Sequence, residues 1–241
     1  MRSIFINYAG GGKYQQAQKF GAETAIQAGF DDAILYGPND IDEEFKEKNK
    51  YILSNVKGAG YWLWKPYIIK KTLDLMEDGD LLFYSDSGSY FRKSLQPLVD
   101  LLLKEPSMIL SFELKGLLEK HYTKRDTFVL MDLDTPEYTE SSQREATYIM
   151  LIKTRITMHI IEEYLKYAQD ARIITDDPNT QYKPNYEGFE GHRHDQSIWS
   201  LLMKKYEIPG HLLISQHGNH LRQDFPNDNY SEITFHHRNQ K

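Results

Sequence analysis

Asp80-Leu81-Leu82-Phe83-Tyr84-Ser85-Asp86-Ser87-Gly88 reads as a buried strand that ends on a carboxylate and a glycine. Four consecutive apolar or aromatic residues bounded by turn residues fit a strand covered on both faces. In open α/β sheets, ligands bind in the crevice beyond the carboxyl ends of the strands. A carboxylate presented there can hold a divalent cation, and such a cation neutralises a diphosphate. Taken alone, Asp86 also fits a simpler role, because Asp and Gly close turns after many strands.

Working outward, the N-terminal segment supplies the rest of an α/β opening. Ser3–Tyr8 is a short β-rich run that ends at Gly10-Gly11-Gly12, a strand feeding a flexible loop. Apolar residues at helical spacing follow from Tyr14 to Ala28, and Gly29 stops them. Asp31–Tyr36 is a second strand, closed by Gly37-Pro38. Strand, helix and strand in this order begin a parallel sheet with right-handed crossovers.

Beyond it, the pattern predicts a polar surface helix over Asp40–Lys57 and an aromatic helix over Tyr61–Met76, with Pro66 near its start. Further helices are expected at Leu95–Leu103, Thr154–Ala168 and Asp195–Lys205, and strands at Met108–Phe112 and Ala146–Ile152. Leu212–Ser215 reads as a last short strand. Asp170–Arg193 is rich in Asp, Asn, Pro, Gly and Tyr; it exceeds the usual connection length, which suits an acceptor-side loop or a lid. With no repeat and no clear boundary, residues 1–241 read as one domain.

Composition narrows the function classes. The 241 residues carry a formal charge of −6 and no basic tract, which argues against a nucleic-acid binder. There is no cysteine, so disulfides, thiolate metal sites and cysteine nucleophiles are excluded, and a reducing compartment fits. No run approaches the ~18 apolar residues of a membrane span, and the N-terminal apolar run is too short for a signal peptide. The expectation is a cytoplasmic protein with no membrane span.

Two aromatic and polar segments add chemistry. Gly58-Ala59-Gly60-Tyr61-Trp62-Leu63-Trp64-Lys65-Pro66-Tyr67 packs two Trp and two Tyr around a Lys; these rings either fill core or wall a water-excluding anion pocket. This segment, a helix, and then the Asp80–Gly88 strand resemble the aspartate-motif region of GT-A nucleotide-diphospho-sugar transferases. Small enzymes of bacterial polysaccharide loci and of large algal viruses are the nearest likeness. The opening run Ile4-Phe5-Ile6-Asn7-Tyr8-Ala9-Gly10-Gly11-Gly12-Lys13-Tyr14 resembles that family's first strand, whose end holds the nucleobase and ribose. His194-Asp195-Gln196-Ser197-Ile198-Trp199 resembles the Asp-Gln motif that opens a late helix in many retaining members. The matches run from residue 4 to about residue 220.

The resemblance implies a single GT-A, Rossmann-like domain with a central, mostly parallel sheet flanked by helices. It implies transfer of a sugar from a UDP-sugar donor to a hydroxyl of a glycan or other acceptor, with retention of configuration favoured. Tyr8, Ala9, Gly10, Lys13, Asp86, Ser87 and Gly88 would bind the nucleotide-sugar, with Tyr8 at the uridine end and Asp86 at the diphosphate. Lys65 would contact Asp86 or the diphosphate; Asp195 and Gln196 would face the sugar as catalytic residues, Asp195 serving as base if the reaction inverts. Arg125 and Arg144 resemble residues of segments that line the sugar pocket, with surface salt bridges as their alternative.

One position departs from the pattern. Gly88 stands where a second acidic residue usually lies two positions after the first. A divalent metal, manganese or magnesium, would then rest on Asp86 and a C-terminal histidine, His217 first and His220 second. His192-Arg193-His194 also invites a metal reading, but flanking loop histidines are expected to be solvated, and His236-His237 receives no role. Two rivals remain: a non-catalytic carbohydrate-binding protein, and a sugar nucleotidyltransferase, which would normally carry an Arg in the loop where Gly10-Gly11-Gly12-Lys13 has none.

Overall fold

In a computed structural model, residues 1–215, 224–226 and 228–236 are described. The chain opens with β1 (Ser3–Tyr8), α1 (Gly12–Ala28) and β2 (Asp32–Tyr36). A 3-10 turn at Pro38–Asp40 leads into α2 (Glu43–Lys48), α3 (Lys50–Leu53) and the single turn α4 (Gly58–Tyr61). Next come α5 (Trp64–Leu75), β3 (Leu81–Ser85), β4 (Ser89–Phe91), α6 (Gln96–Leu102) and the long β5 (Ile109–Leu118). Three short helices, α7 (Glu119–Tyr122), α8 (Arg125–Leu130) and α9 (Pro136–Thr139), precede β6 (Ser142–Arg144) and β7 (Tyr148–Ile152). The remaining elements are α10 (Arg155–Ala168), α11 (Ala171–Ile174), α12 (Asp195–Lys205), β8 (Gly210–His211) and β9 (Thr234–His236).

The central sheet has seven strands in the order β2-β1-β3-β7-β5-β6, with β8 beside β5. β1 pairs in parallel with both β2 and β3. β7 runs antiparallel to β3 and to β5, β6 is antiparallel to β5, and β8 is parallel to β5. Five strands (β1, β2, β3, β5 and β8) therefore point one way, and β6 and β7 oppose them, giving the mostly parallel sheet that the sequence implied. β4 and β9 form a separate two-stranded ribbon.

Strand alternation builds a core on each face. Ile4, Ile6, Leu82, Tyr84, Ile149 and Leu151 join the side covered by α5, α10 and α12. Phe5, Leu81, Phe83, Tyr148, Met150 and Ile152 join the other, with Ala22, Ala25 and Ala28 of α1 and Leu98 and Leu102 of α6. Successive residues of a strand face opposite ways, so a strand buried on both sides needs the continuous apolar run seen in β3.

The structure corrects three expectations. The polar helix over Asp40–Lys57 is broken at Asn49, whose φ of −110° and ψ of 22° leave the helical region while its side chain donates to the Phe45 carbonyl at 2.9 Å. The helix expected from Tyr61 starts only at Trp64, because Gly58–Trp62 takes positive φ throughout. Leu212–Ser215 is not a strand. The Leu212 amide donates to the Asp228 carboxylate at 2.6 Å and its carbonyl accepts from the Tyr230 hydroxyl, so side chains satisfy the backbone where a ladder was expected. The irregular Asp170–Arg193 segment contains only α11 and is stitched to α8: the buried Asp126 carboxylate accepts from the Thr180 and Gln181 amides.

Candidate functional site

The carboxyl ends of β1 and β3 lie side by side, and the first cavity, about 830 Å³, opens above them. Its floor is aromatic. The Tyr8 ring stacks on Trp64 with centroids 3.9 Å apart and planes 15° from parallel, and burial pushes the Tyr8 hydroxyl up to about 12. Gly10, Gly11 and Gly12 line one side, where α1 begins. The first turn of α1 holds no acidic residue and its cap makes no side-chain hydrogen bond, which leaves a helix N-terminus suited to negative charge. Asp86, Ser87 and Gly88 line the same cavity, and its volume falls within the ~300–1,000 Å³ of ordinary ligand sites.

Beneath Asp86 lies a buried charge cluster. The Lys65 ammonium sits 2.6 Å from Asp195 and 3.5 Å from Asp86, and donates to the Ala146 carbonyl at 3.1 Å. The Tyr84 hydroxyl donates to Asp86 Oδ1 at 2.6 Å and the Tyr164 hydroxyl to Asp195 Oδ2 at 3.3 Å. Burial alone would lower the Lys65 pKa, but the Asp195 and Asp86 carboxylates outweigh it and hold it above the ordinary value. Burial drives the Asp195 carboxyl up to about 6 against the pull of Lys65. Asp86 is the accessible member, about one-third exposed, whereas Lys65 is only 3% exposed. A paired buried ammonium of this kind fixes carboxylates in place, since either partner left alone would be costly.

A second cavity of about 450 Å³ lies on the other side of Asp86, lined by Lys57, Trp62, Tyr122, Arg193, His194 and Asp195 among others. Its back wall is the His192–Gln196 segment. His192 Nε2 donates to the Ile173 carbonyl and His194 Nδ1 to the Ile174 carbonyl, each at 2.8 Å. Both rings are buried, which overturns the expectation of solvated loop histidines. Burial lowers His194 to about 4 and His192 well below its ordinary value, so at neutral pH the pair acts as two neutral pins that hold Arg193 outward and deliver Asp195 to Lys65. His194 carries φ 53° and ψ −116° at the start of α12, a strained conformation of the kind that persists where surrounding contacts enforce it.

Facing this wall is a left-handed turn. Gly58, Ala59, Gly60, Tyr61 and Trp62 have φ of 59°, 50°, 96°, 52° and 60°. Left-handed geometry costs an L-residue about 1–2 kcal/mol, so Ala59, Tyr61 and Trp62 need compensation. The Trp64 indole supplies part of it by donating to the Gly58 carbonyl at 2.9 Å. A Cβ on Gly60 would lie 2.7 Å from Leu53 Cα, and one on Gly58 would enter the Trp62 ring. Both glycines are therefore fixed by close approach as well as by φ.

The structure thus brings Tyr8, Gly10, Asp86, Ser87 and Gly88 to the first cavity, and Lys65, Asp86, Asp195 and Gln196 to the second. Ala9 is buried beside them, its amide bonded to the Tyr36 carbonyl. Gln196 turns its amide to Gln143 at 2.9 Å. Two arginines lie elsewhere. Arg125 is paired with Asp134 at 2.8 Å and stacked on Tyr186, and Arg144 is paired with Glu113 beside a separate 320 Å³ hollow. Neither lines the two cavities, and each guanidinium is engaged by a carboxylate that sequence spacing did not suggest. His217 and His220 lie outside the described residues, as does the Lys13 side chain. Sequence reading missed His236, which lines the first cavity and bonds Ser89 through Nδ1 at 3.0 Å; its only signal was a histidine in a C-terminal β-rich run.

The α/β sheet whose strand ends open onto these two cavities has a GT-A-type fold. Solved structures with a similar fold include mouse xyloside xylosyltransferase 1, at 10% identity and a TM-score of 0.48 over 99% of this chain and 98% of that one. A glycosyltransferase involved in glycosylation of the major capsid of PBCV-1 gives 10% identity and 0.48 over 100% and 96%. The WbbM bifunctional glycosyltransferase gives 12% identity and 0.50 over 100% of this chain and 46% of that one, so this chain spans less than half of WbbM. At these identities the likeness is one of fold. No protein-family model matches the chain, and no curated protein matches it by sequence.

Proposed function

We propose that this chain is a glycosyltransferase that takes a UDP-sugar in the first cavity and the hydroxyl of an acceptor, a glycan or related molecule, in the second. The observation that carries the reading is the meeting of the two cavities at Asp86. Transfer needs donor and acceptor held together at one point, and such positioning supplies much of the rate enhancement.

A divalent cation fits the chemistry of Asp86 in part. Oδ1 takes the Tyr84 hydroxyl and faces Lys65, and Oδ2 would be the oxygen offered to a cation. His236 is the imidazole that lines that cavity among the described residues. No group of three or more metal-ligating side chains occurs among the described residues. Asp86 and His236 would hold a cation, with His217 as the sequence-based alternative, and the cation would stabilise the departing UDP. Lys65 keeps Asp86 oriented, and the start of α1 offers backbone donors to phosphate oxygens.

Retention of configuration is the stereochemistry this reading takes. An inverting enzyme needs a carboxylate as base for the acceptor hydroxyl. Of the carboxylates at the second cavity, Asp195 is engaged by Lys65 and Tyr164, Asp86 by Tyr84 and Lys65, and Glu190 accepts from Tyr122. Proton NMR of the product from a defined donor tests it, and an inverted anomer would sink it.

The donor assignment is tested by thermal shift with UDP, GDP and CDP, each with and without manganese. A ligand that binds only the native state at a hundredfold excess over Kd stabilises by about 2.7 kcal/mol. A UDP-selective rise, larger with manganese, is expected. No rise with any nucleotide would favour a carbohydrate-binding protein instead.

A further inference from the structure

Among the described residues, Trp62 and Asp86 alone line both cavities. If the diphosphate lies at Asp86 and the acceptor lies beyond it, the sugar being transferred must occupy the junction between the two. The wall it meets there is the Trp62 indole.

Trp62 is held more firmly than an ordinary site aromatic. Its backbone is left-handed, φ 60° and ψ 17°, at the end of five successive positive-φ residues. The indole packs on Gly58 so closely that a methyl group there would enter the ring. It also stacks on the His194 imidazole, with centroids 5.6 Å apart and planes 24° from parallel, and that imidazole is itself tied to the Ile174 carbonyl. One residue of a strained turn and one of a pinned loop thus brace a single ring between the cavities. Its neighbour Trp64 does something different: it is buried and stacked on Tyr8.

We propose that Trp62 is a specificity-determining residue: a fixed partition against which the transferred sugar ring seats beside Asp86. This rests on the glycosyltransferase reading above. Sugars present apolar C–H faces as well as hydroxyls, and an aromatic ring offers large apolar contact area. A ring already immobilised loses little freedom on binding, so its contact counts fully toward affinity. The partition would act on the sugar and not on the nucleotide, whose side of the cavity is formed by Tyr8, Trp64 and the start of α1.

The test separates sugar from nucleotide. Kd values are measured for UDP and for UDP-glucose, UDP-galactose and UDP-xylose on the wild type, and the tightest sugar nucleotide is carried to Trp62→Ala and Trp62→Phe. The expected result is an unchanged UDP Kd with the sugar nucleotide weakened roughly tenfold in Trp62→Ala, equivalent to about 1.4 kcal/mol, and by less in Trp62→Phe, which keeps a ring. Retained UDP binding certifies that each variant is folded. If Trp62→Ala does not fold, the same pattern in Trp62→Phe, sugar nucleotide weakened and UDP not, decides. Equal weakening of UDP and UDP-sugar, or no weakening of either, would overturn the assignment while leaving the glycosyltransferase reading standing. Failure of the wild type to bind any of these nucleotides would overturn that reading, and the partition with it.

Discussion

The two cavities flanking Asp86 are built in different ways. The first is made mostly of strand ends, the start of a long helix and stacked rings, Tyr8 on Trp64 with Gly10–Gly12 alongside, and has Gly58, Ala59 and Trp62 of the left-handed turn on one wall. The second is made of long polar side chains from segments with little regular structure, held by pins such as His192 and His194 on consecutive carbonyls. A cavity of the first kind follows from the fold. One of the second kind depends on individual side-chain bonds, so single substitutions should damage it selectively. The Lys65 cluster, which sits between them, should matter to both.

The largest effect is therefore expected at Lys65. Lys65→Met leaves the buried Asp195 carboxylate without its cation, and breaking a buried pair from one side costs about 3–5 kcal/mol. Urea denaturation should show a loss of that size; a loss below ~1 kcal/mol would mean that the cluster is not what joins the cavities. Next comes Gly58→Ala, which combines an unfavourable φ with a clash into the Trp62 ring. A loss of about 2–3 kcal/mol is expected, against almost none for an alanine at Gly12, where nothing lies near.

A smaller effect is expected from pH. The folded Asp195 carboxyl titrates at about 6 against an ordinary 3.8. Between those values the folded chain keeps a proton that the unfolded chain has released, so this group's contribution to stability falls as pH rises through the window. Asp195→Asn should flatten that slope in urea midpoints measured from pH 4 to 7. An unchanged slope would place the titration elsewhere. The smallest effect on the site belongs to Arg144→Ala. Its pairing with Glu113 lies away from both cavities, so nucleotide binding should be unchanged within about twofold while stability drops by ~1–2 kcal/mol. Weakened nucleotide binding would bring Arg144 back to the sugar pocket.

The same contrast explains how much was legible in the sequence. Strand β3 and the placement of Asp86 followed from a continuous apolar run and a turn, both local properties. The first cavity shares that legibility, since Tyr8 and the glycines close a strand. The second depends on contacts between distant residues. The left-handed turn Gly58-Ala59-Gly60-Tyr61-Trp62, which reaches both cavities, has no local signal either, because Tyr and Trp rarely adopt it and contacts with Leu53, Trp64 and His194 hold it. Likewise, the burial of His192 and His194 depends on carbonyls about 20 residues earlier, and Arg125 and Arg144 find carboxylates that no spacing rule connects to them. His236 reaches the first cavity only because β9 pairs with β4.

Turnover at Asp86 tests most directly whether the two cavities meet at the reacting point. UDP release from the tightest-binding UDP-sugar is followed for the wild type and for Asp86→Asn, a near-isosteric change at the residue both cavities share. A folded variant whose release rate falls by at least ~100-fold is expected, the scale of losing a main electrostatic group from an active site. A variant that releases UDP at the wild-type rate would contradict the claim that the two cavities meet at the reacting point.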